Sequence, residues 1–265
     1  MTQSEVQPTT GTFAPHPGAA PLSRQVRAQT AMETRLMVRN GEQLLLAVVI
    51  PLLVLFAGVT AIERQNLSLS HTPVDTLAPG VLALAIMSTA FTSVAISTGF
   101  ERRYGVLKRL GASPLPRHGL LLGKVGALLA VLLLQTVVLG GAALLMGWSP
   151  EITLRGVVGA LTVAAAGTAA FASLGLLVAG ALRAEATLAV ANLVYLLLAA
   201  GGAVVLPASV YGAAEPFLRW LPSGALGGGL REALLIGTFP LAPTLVLLLW
   251  GVVGAALTAR TFRWE

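Results

Sequence analysis

The chain has 265 residues, of which 55% are apolar and 11% charged, with a mean hydropathy of +0.82 and a formal net charge of +6. So little polar surface cannot cover a soluble globule of this size, and the composition is that of an integral membrane protein. There is no cysteine, which excludes a disulfide framework and a thiolate metal site. The cations sit beside apolar runs rather than along one exposed face, so their partners are expected to be membrane lipids and protein, with no nucleic acid.

Residues 1–21 are rich in Thr, Pro, Gly and Ala and nearly free of large apolar side chains. They cannot bury enough surface to offset their ordering entropy, which predicts a disordered N-terminal tail. Residues 22–43 read as an amphipathic helix in the membrane interface, with Leu22, Val26, Met32, Leu36 and Met37 on one arc and Arg24, Arg27 and Arg35 pointing away. Residues 1–43 hold no apolar core of signal-peptide length, so the first span is expected to direct insertion.

Six uncharged apolar runs follow, at residues 44–62, 79–100, 125–146, 156–182, 187–206 and 241–259. Each is close to the length that crosses a hydrocarbon core of about 30 Å, giving an all-α membrane protein with a six-helix transmembrane domain over 44–265. Pro51 predicts a kink in the first run. Only Arg183, Ala184 and Glu185 separate the fourth and fifth runs, which forces an antiparallel pair. The glycines of the fourth run, Gly156, Gly159, Gly167, Gly175 and Gly180, suit close packing either inside one subunit or at a dimer seam. Residues 207–240 differ in kind, carrying Pro207, Pro216, Pro222 and the triplet Gly227, Gly228, Gly229. Their two apolar pieces, 217–221 and 230–236, are too short to span and predict a pair of short helices dipping into one leaflet.

None of the six runs contains Asp, Glu, Lys, Arg or His, whereas ion-coupled carriers need groups that change charge at mid-membrane. The sequence therefore points away from ion coupling. The nearest approach to a phosphate loop, Gly119, Gly123 and Lys124, has one spacer too few and is followed by Val125, so nucleotide must sit on another polypeptide. A membrane enzyme would need clustered acids or a metal, but Asp75 is the one aspartate and His16, His71 and His118 are scattered, so neither catalytic nor metal residues are assigned. Ser88, Thr92 and Ser93 in the second run, Gln135 in the third, and Asn192 and Tyr195 in the fifth are candidates for a substrate path; interhelical hydrogen bonding is the alternative role.

The densest island of charge lies at residues 100–117, FERRYGVLKRLGASPLPR. On helical spacing Tyr104, Leu107 and Leu110 share one side while Glu101, Arg102, Lys108 and Arg109 take the other, and Gly111, Ser113, Pro114 and Pro116 then stop the helix. Charge alone is equally that of an ordinary cytoplasmic loop. The Glu-Arg-Arg-x-Gly-x-Leu-x-x-Leu run with its Ser-Pro-Leu-Pro-Arg turn, placed between the second and third spans, resembles the coupling helix of ABC-2 type exporter permeases, including the daunorubicin-exporter kind. The match rests on Glu101, Gly105, Leu107 and Leu110, and the likeness extends over nearly the whole chain after residue 22.

The resemblance implies six spans, an N-terminal connecting helix, and a coupling helix made of Glu101, Arg102, Tyr104, Gly105, Leu107, Lys108 and Leu110. It also implies a re-entrant helical hairpin before the last span. The partners it implies are a second permease protomer, identical or homologous, and two copies of a separate ATPase that carries ATP and Mg, with no cofactor in this chain. It further implies alternating-access export of an amphipathic or lipophilic substrate from a bacterial plasma (inner) membrane. A flippase for a lipid or polymer intermediate, or a non-transporting membrane scaffold, are the alternative functions.

Counting Lys and Arg by side, the N-terminal segment, the 100–124 region, the link at Arg183 and the C-terminal tail hold thirteen, against Arg64, Arg155, Arg219 and Arg231 on the other side. This bias puts both termini and the 100–117 segment in the cytoplasm. Single cysteines placed in the cysteine-free chain test it: position 109 should resist an impermeant thiol reagent in intact cells, and labelling there from outside would reverse the topology.

Overall fold

The computed structural model describes residues 20–41, 45–65, 71–106, 109 and 116–261. The tail expected at 1–21 lies almost wholly outside these, as do Leu107, Lys108 and Leu110. Helix α1 covers Leu22–Arg39, α2 Ile50–Gln65, α3 Pro73–Arg103, α4 Arg117–Leu145, α5 Leu154–Ala181, α6 Ala184–Gly201, α7 Glu215–Leu218, α8 Pro222–Leu235 and α9 Leu241–Thr261. A π turn, Leu45–Val49, leads into α2, and a second, Ser88–Ser93, interrupts α3. The described residues contain no strand, and α2, α3, α4, α5, α6 and α9 are the six helices long and apolar enough to span.

Helix α3 is the axis of the bundle: 78% of its span is buried within the protomer, against 17–39% for the other five. Its core side chains Leu84, Met87 and Phe91 meet Phe171 of α5, Leu226 of α8 and Leu247 of α9, and the Phe91 and Phe171 rings pack edge to face at 6.4 Å. The second run starts earlier than its apolar pattern predicts, at Pro73 rather than 79. Thr72 caps it, its hydroxyl accepting from the Asp75 amide, and Pro73 fills the first-turn position where a missing N–H costs nothing. Asp75 continues that anchor, accepting from the Ser149 amide at 2.8 Å and so tying the start of α3 to the turn between α4 and α5.

Pro51 stands just after the first π turn, and its effect on the backbone hydrogen bonds is visible. A proline cannot donate to the carbonyl four residues back, here that of Ala47. Gln135 of α4 takes that carbonyl with Nε2 at 2.7 Å, and its Oε1 accepts from Thr89 Oγ1 at 3.0 Å. One amide side chain thus joins the π turn before α2 to the π turn inside α3, where hydrocarbon offers no water to do so.

The region 207–240 is not the expected pair of short helical pieces. A 3₁₀ stretch, Ala208–Ala214, and the short α7 precede a single helix, α8, that runs straight through Gly227, Gly228 and Gly229. Two of the three are contact points rather than a break: a Cβ at Gly227 would lie 2.3 Å from the Val204 carbonyl oxygen, and one at Gly229 would press on Val163 and Pro243, while Gly228 faces open space. The fifth run likewise stops short of residue 206, because the chain turns at Ala203, whose φ is +54°. The glycines of α5 resolve toward packing inside one subunit. Gly156 faces the Ala233 carbonyl, Gly159 faces Pro240, Gly167 faces Leu226 and Gly175 faces the Phe91 carbonyl.

Helix α8 is held by Arg231, whose Nε donates to the Thr76 carbonyl at 3.2 Å while Nη2 donates to the carbonyls of Val204, at 2.8 Å, and Val205. This approach needs Gly80 on α3, where a Cβ would fall 2.4 Å from the Val205 oxygen and 2.8 Å from that of Val204. Gly80→Ala should therefore lower stability by about 1–3 kcal/mol through overpacking against backbone that cannot step aside. At Gly141, where a Cβ meets nothing within 4 Å, alanine should be neutral or stabilising by up to about 1 kcal/mol. Thermal unfolding in detergent separates the two, and equal midpoints would contradict the close passage of 204–205 over α3.

Candidate coupling and translocation site

At the end of the bundle carrying the 100–117 segment, three elements meet at one lysine. Lys124 of α4 contacts Glu101 at the end of α3 at 2.6 Å and Glu33 of α1 at 3.1 Å. Gln29 of α1 donates to Glu33 at 2.9 Å. Helix α1 lies close along α4 because a glycine faces each contact: Gly123 opposes Gln29 and Gly126 opposes Thr30. The polar face of α1 is therefore the packed one, while Leu22, Met32 and Leu36 of its predicted apolar arc are exposed.

The sequence pattern places Glu101 and Arg102 on an outward face of a helix running on to Leu110. The structure differs. Helix α3 ends at Arg103, Tyr104 is its cap, and Gly105 adopts φ +65°, the left-handed conformation that ends a helix and that glycine takes without penalty. Glu101 turns inward to Lys124. Arg102 donates from Nη1 to the Gly180 carbonyl at 2.8 Å and from Nη2 to that of Leu182 at 2.9 Å, closing the carbonyl end of α5. Arg103 pairs with Glu185 at the start of α6. Of the residues expected to face a partner, Tyr104 is the one seen exposed, at 62%, with its ring stacked on Phe100 and Arg103 beside it. Gly105 has open space around it.

The expected path residues divide into two groups. Gln135 is engaged through both polar atoms between the two π turns, so its place in the structure is that of a tie. Ser88, Thr92 and Ser93 lie on the buried π turn of α3, and Tyr195 is buried on α6. Across that α3–α6 seam the polar atoms Thr92 Oγ1, Thr187 Oγ1 and Asn192 Oδ1 are buried without a hydrogen-bond partner among the described residues, while Tyr195 lies within reach of Ser88. Buried polar groups are ordinarily paired, and three orphans along one seam form a feature rather than scatter.

Arg231 escaped the reading of the sequence, which counted it as a loop cation on the outer side. The signal was present. Leu226, Leu230 and Ala233 stand around it at helical spacing, and all three are buried on α8. An arginine among buried apolar positions must have acceptors, and here they are backbone carbonyls from two other elements.

Residues 24–223 match the family model described as ABC-2 type transporter. No curated protein matches the chain. The matched segment begins in α1, takes in five of the six spanning helices with the Lys124 joint, and ends in the first turn of α8, well over half of the sequence. With six membrane-crossing helices and a match of this extent, the chain belongs to the ABC-2 type transporter family, as the membrane-embedded permease component of an ABC transporter.

Proposed function

We propose that the chain is an exporter permease that moves an amphipathic or lipophilic substrate outward by alternating access. It works as one of two protomers driven by two copies of a separate ATPase. The observation that carries this reading, beside the family, is the position of Tyr104. The most buried span of the bundle runs directly into this exposed residue, and the segment beyond it carries the coupling-helix residues Leu107, Lys108 and Leu110. A push on Tyr104 reaches α3 directly, and Lys124 carries it to α1 and α4. The exposed apolar arc of α1 supports its lying in the membrane interface on the cytoplasmic side.

In this reading Glu101 is a joint residue and Leu107 a docking residue, and the two give different results when changed. Leu107→Asp should weaken ATPase association by on the order of 2–4 kcal/mol, about 30- to 700-fold, with an unaltered melting temperature. Glu101→Gln should leave ATPase recovery intact while lowering the melting temperature, since it deprives Lys124 of its closest carboxylate. Pull-down of the ATPase from native membranes and unfolding in detergent measure both. Normal ATPase recovery together with normal transport for Leu107→Asp would remove the coupling assignment.

The α3–α6 seam is the proposed substrate route, because its orphaned polar atoms are groups that a passing substrate or a second protomer would satisfy. Thr92→Val and Asn192→Leu should be neutral or stabilising by up to about 1–3 kcal/mol, as removal of an unpaired buried polar group predicts, yet should slow transport. If both variants transport normally in a reconstituted complex, the route lies elsewhere.

A further inference from the structure

A groove of about 900 Å³ runs between α8 and α9, at the end of the bundle opposite the Lys124 joint. This is within the size range of a site for one small amphiphile. Its long wall is apolar, formed by Pro243, Val246 and Leu249 of α9. Trp220 stands at its rim, 66% exposed, the position that indole side chains favour at the boundary between hydrocarbon and headgroups.

The polar end of the groove holds four charged side chains, and they are not equivalent. Arg219 and Glu215 pair with each other. Arg231 spends Nε and Nη2 on three carbonyls, and its Nη1 has no acceptor among the described residues. Burial draws its pKa down to about 10, which leaves it charged at neutral pH. Glu232, the next residue on α8, meets the Thr238 hydroxyl at 3.5 Å and no cation among the described residues. One unneutralised cation and one unneutralised anion therefore line the same polar end of an apolar groove. A buried guanidinium without a counter-ion is costly, and the compensating ligand must carry an acidic group for Arg231 and an N–H cation for Glu232.

We propose that this groove binds a membrane phospholipid of the phosphatidylethanolamine type, its phosphate on Arg231, its primary ammonium on Glu232 and its acyl chains along Val246 and Leu249. Phosphatidylcholine offers the phosphate but no ammonium N–H, and phosphatidylglycerol offers no cation. The site therefore discriminates by headgroup rather than by charge alone. It is separate from the α3–α6 seam and holds whether or not that seam carries substrate.

The test uses the purified full chain in detergent and native mass spectrometry with the three lipids at matched acyl chains. Phosphatidylethanolamine should bind about tenfold or more tightly than the others, the scale of one charge-assisted hydrogen bond. Glu232→Gln should remove its advantage over phosphatidylcholine. Gly228→Phe should abolish the bound lipid, because Gly228 lines the groove and a Cβ there meets open space, so the ring fills the groove without disturbing the fold. Both variants leave the carbonyl contacts of Arg231 in place and keep the test independent of folding. Equal binding of the three lipids, a preference for phosphatidylglycerol, or undiminished phosphatidylethanolamine binding by Gly228→Phe would each overturn the proposal.

Discussion

Within hydrocarbon no water is available to a backbone carbonyl, so every interruption of a helix must be closed by another part of the protein. Two side chains meet this requirement here, and the arrangement of the bundle follows from them. Gln135 closes the Ala47 carbonyl that Pro51 leaves without a donor and joins it to Thr89. Arg231 closes the carbonyls of Val204 and Val205, where α6 has ended and the chain turns toward α7 and α8, and it reaches Thr76 on α3 as well. The first fixes α2, α3 and α4 to one another near mid-membrane. The second fixes α8 and the end of α6 to the start of α3. Glycine makes each approach possible: without Gly80 the Val205 carbonyl could not come within reach of Arg231 over the surface of α3.

The two ends of the bundle are built from different kinds of contact. At the Arg231 end the partners are backbone atoms: Asp75 accepts from the Ser149 amide, the Glu151 amide donates to the Leu234 carbonyl at 2.9 Å, and Ser223 donates to the Gly202 carbonyl at 2.8 Å. Such contacts hold their length and direction, since neither the main chain nor a short side chain can follow a shift. At the Lys124 end the contacts that join α1, α3 and α4 are ion pairs between long side chains, Glu33, Glu101 and Lys124, which keep contact while their helices slide by an ångström or two. The exception is Arg102, whose two donors cap α5 and keep the end of α3 moving with it.

Much of this architecture was legible in the sequence. Six spans follow from apolar runs of bilayer length, and the family from Glu101, Gly105, Leu107 and Leu110 set between the second and third of them. What escaped were features determined by contacts distant along the chain. The partners of Gln135 and Arg231 lie 88 and 155 residues away, and no local pattern announces them. Gly227, Gly228 and Gly229 read as a break because glycine weakens an isolated helix, yet packing against Val204 and Val163 outweighs that cost. Gly105 was counted as part of the matched motif, and its conformational role as a helix terminator was passed over. The uncharged apolar run begins at 79, whereas Thr72 and Pro73 start the helix six residues earlier with a polar cap that hydropathy does not register.

The π turn at Ser88–Ser93 lies between these two differently built ends of α3. A single π turn inside an α-helix interrupts the regular hydrogen-bond ladder and recurs at functional sites. Its amino-terminal side, Pro73–Met87, is held by Arg231 and Asp75 to fixed backbone, while its carboxy-terminal side, Val94–Arg103, moves with α5 and the Lys124 joint. A displacement entering at Tyr104 would therefore be absorbed at Ser88–Ser93 rather than passed on to α8. The residues that would shift are Thr92 and its neighbours, which face the orphaned polar atoms of α6. Coupling and substrate passage would then meet at one turn of one helix, which gives a physical reason for the least regular part of α3 to be among its most buried.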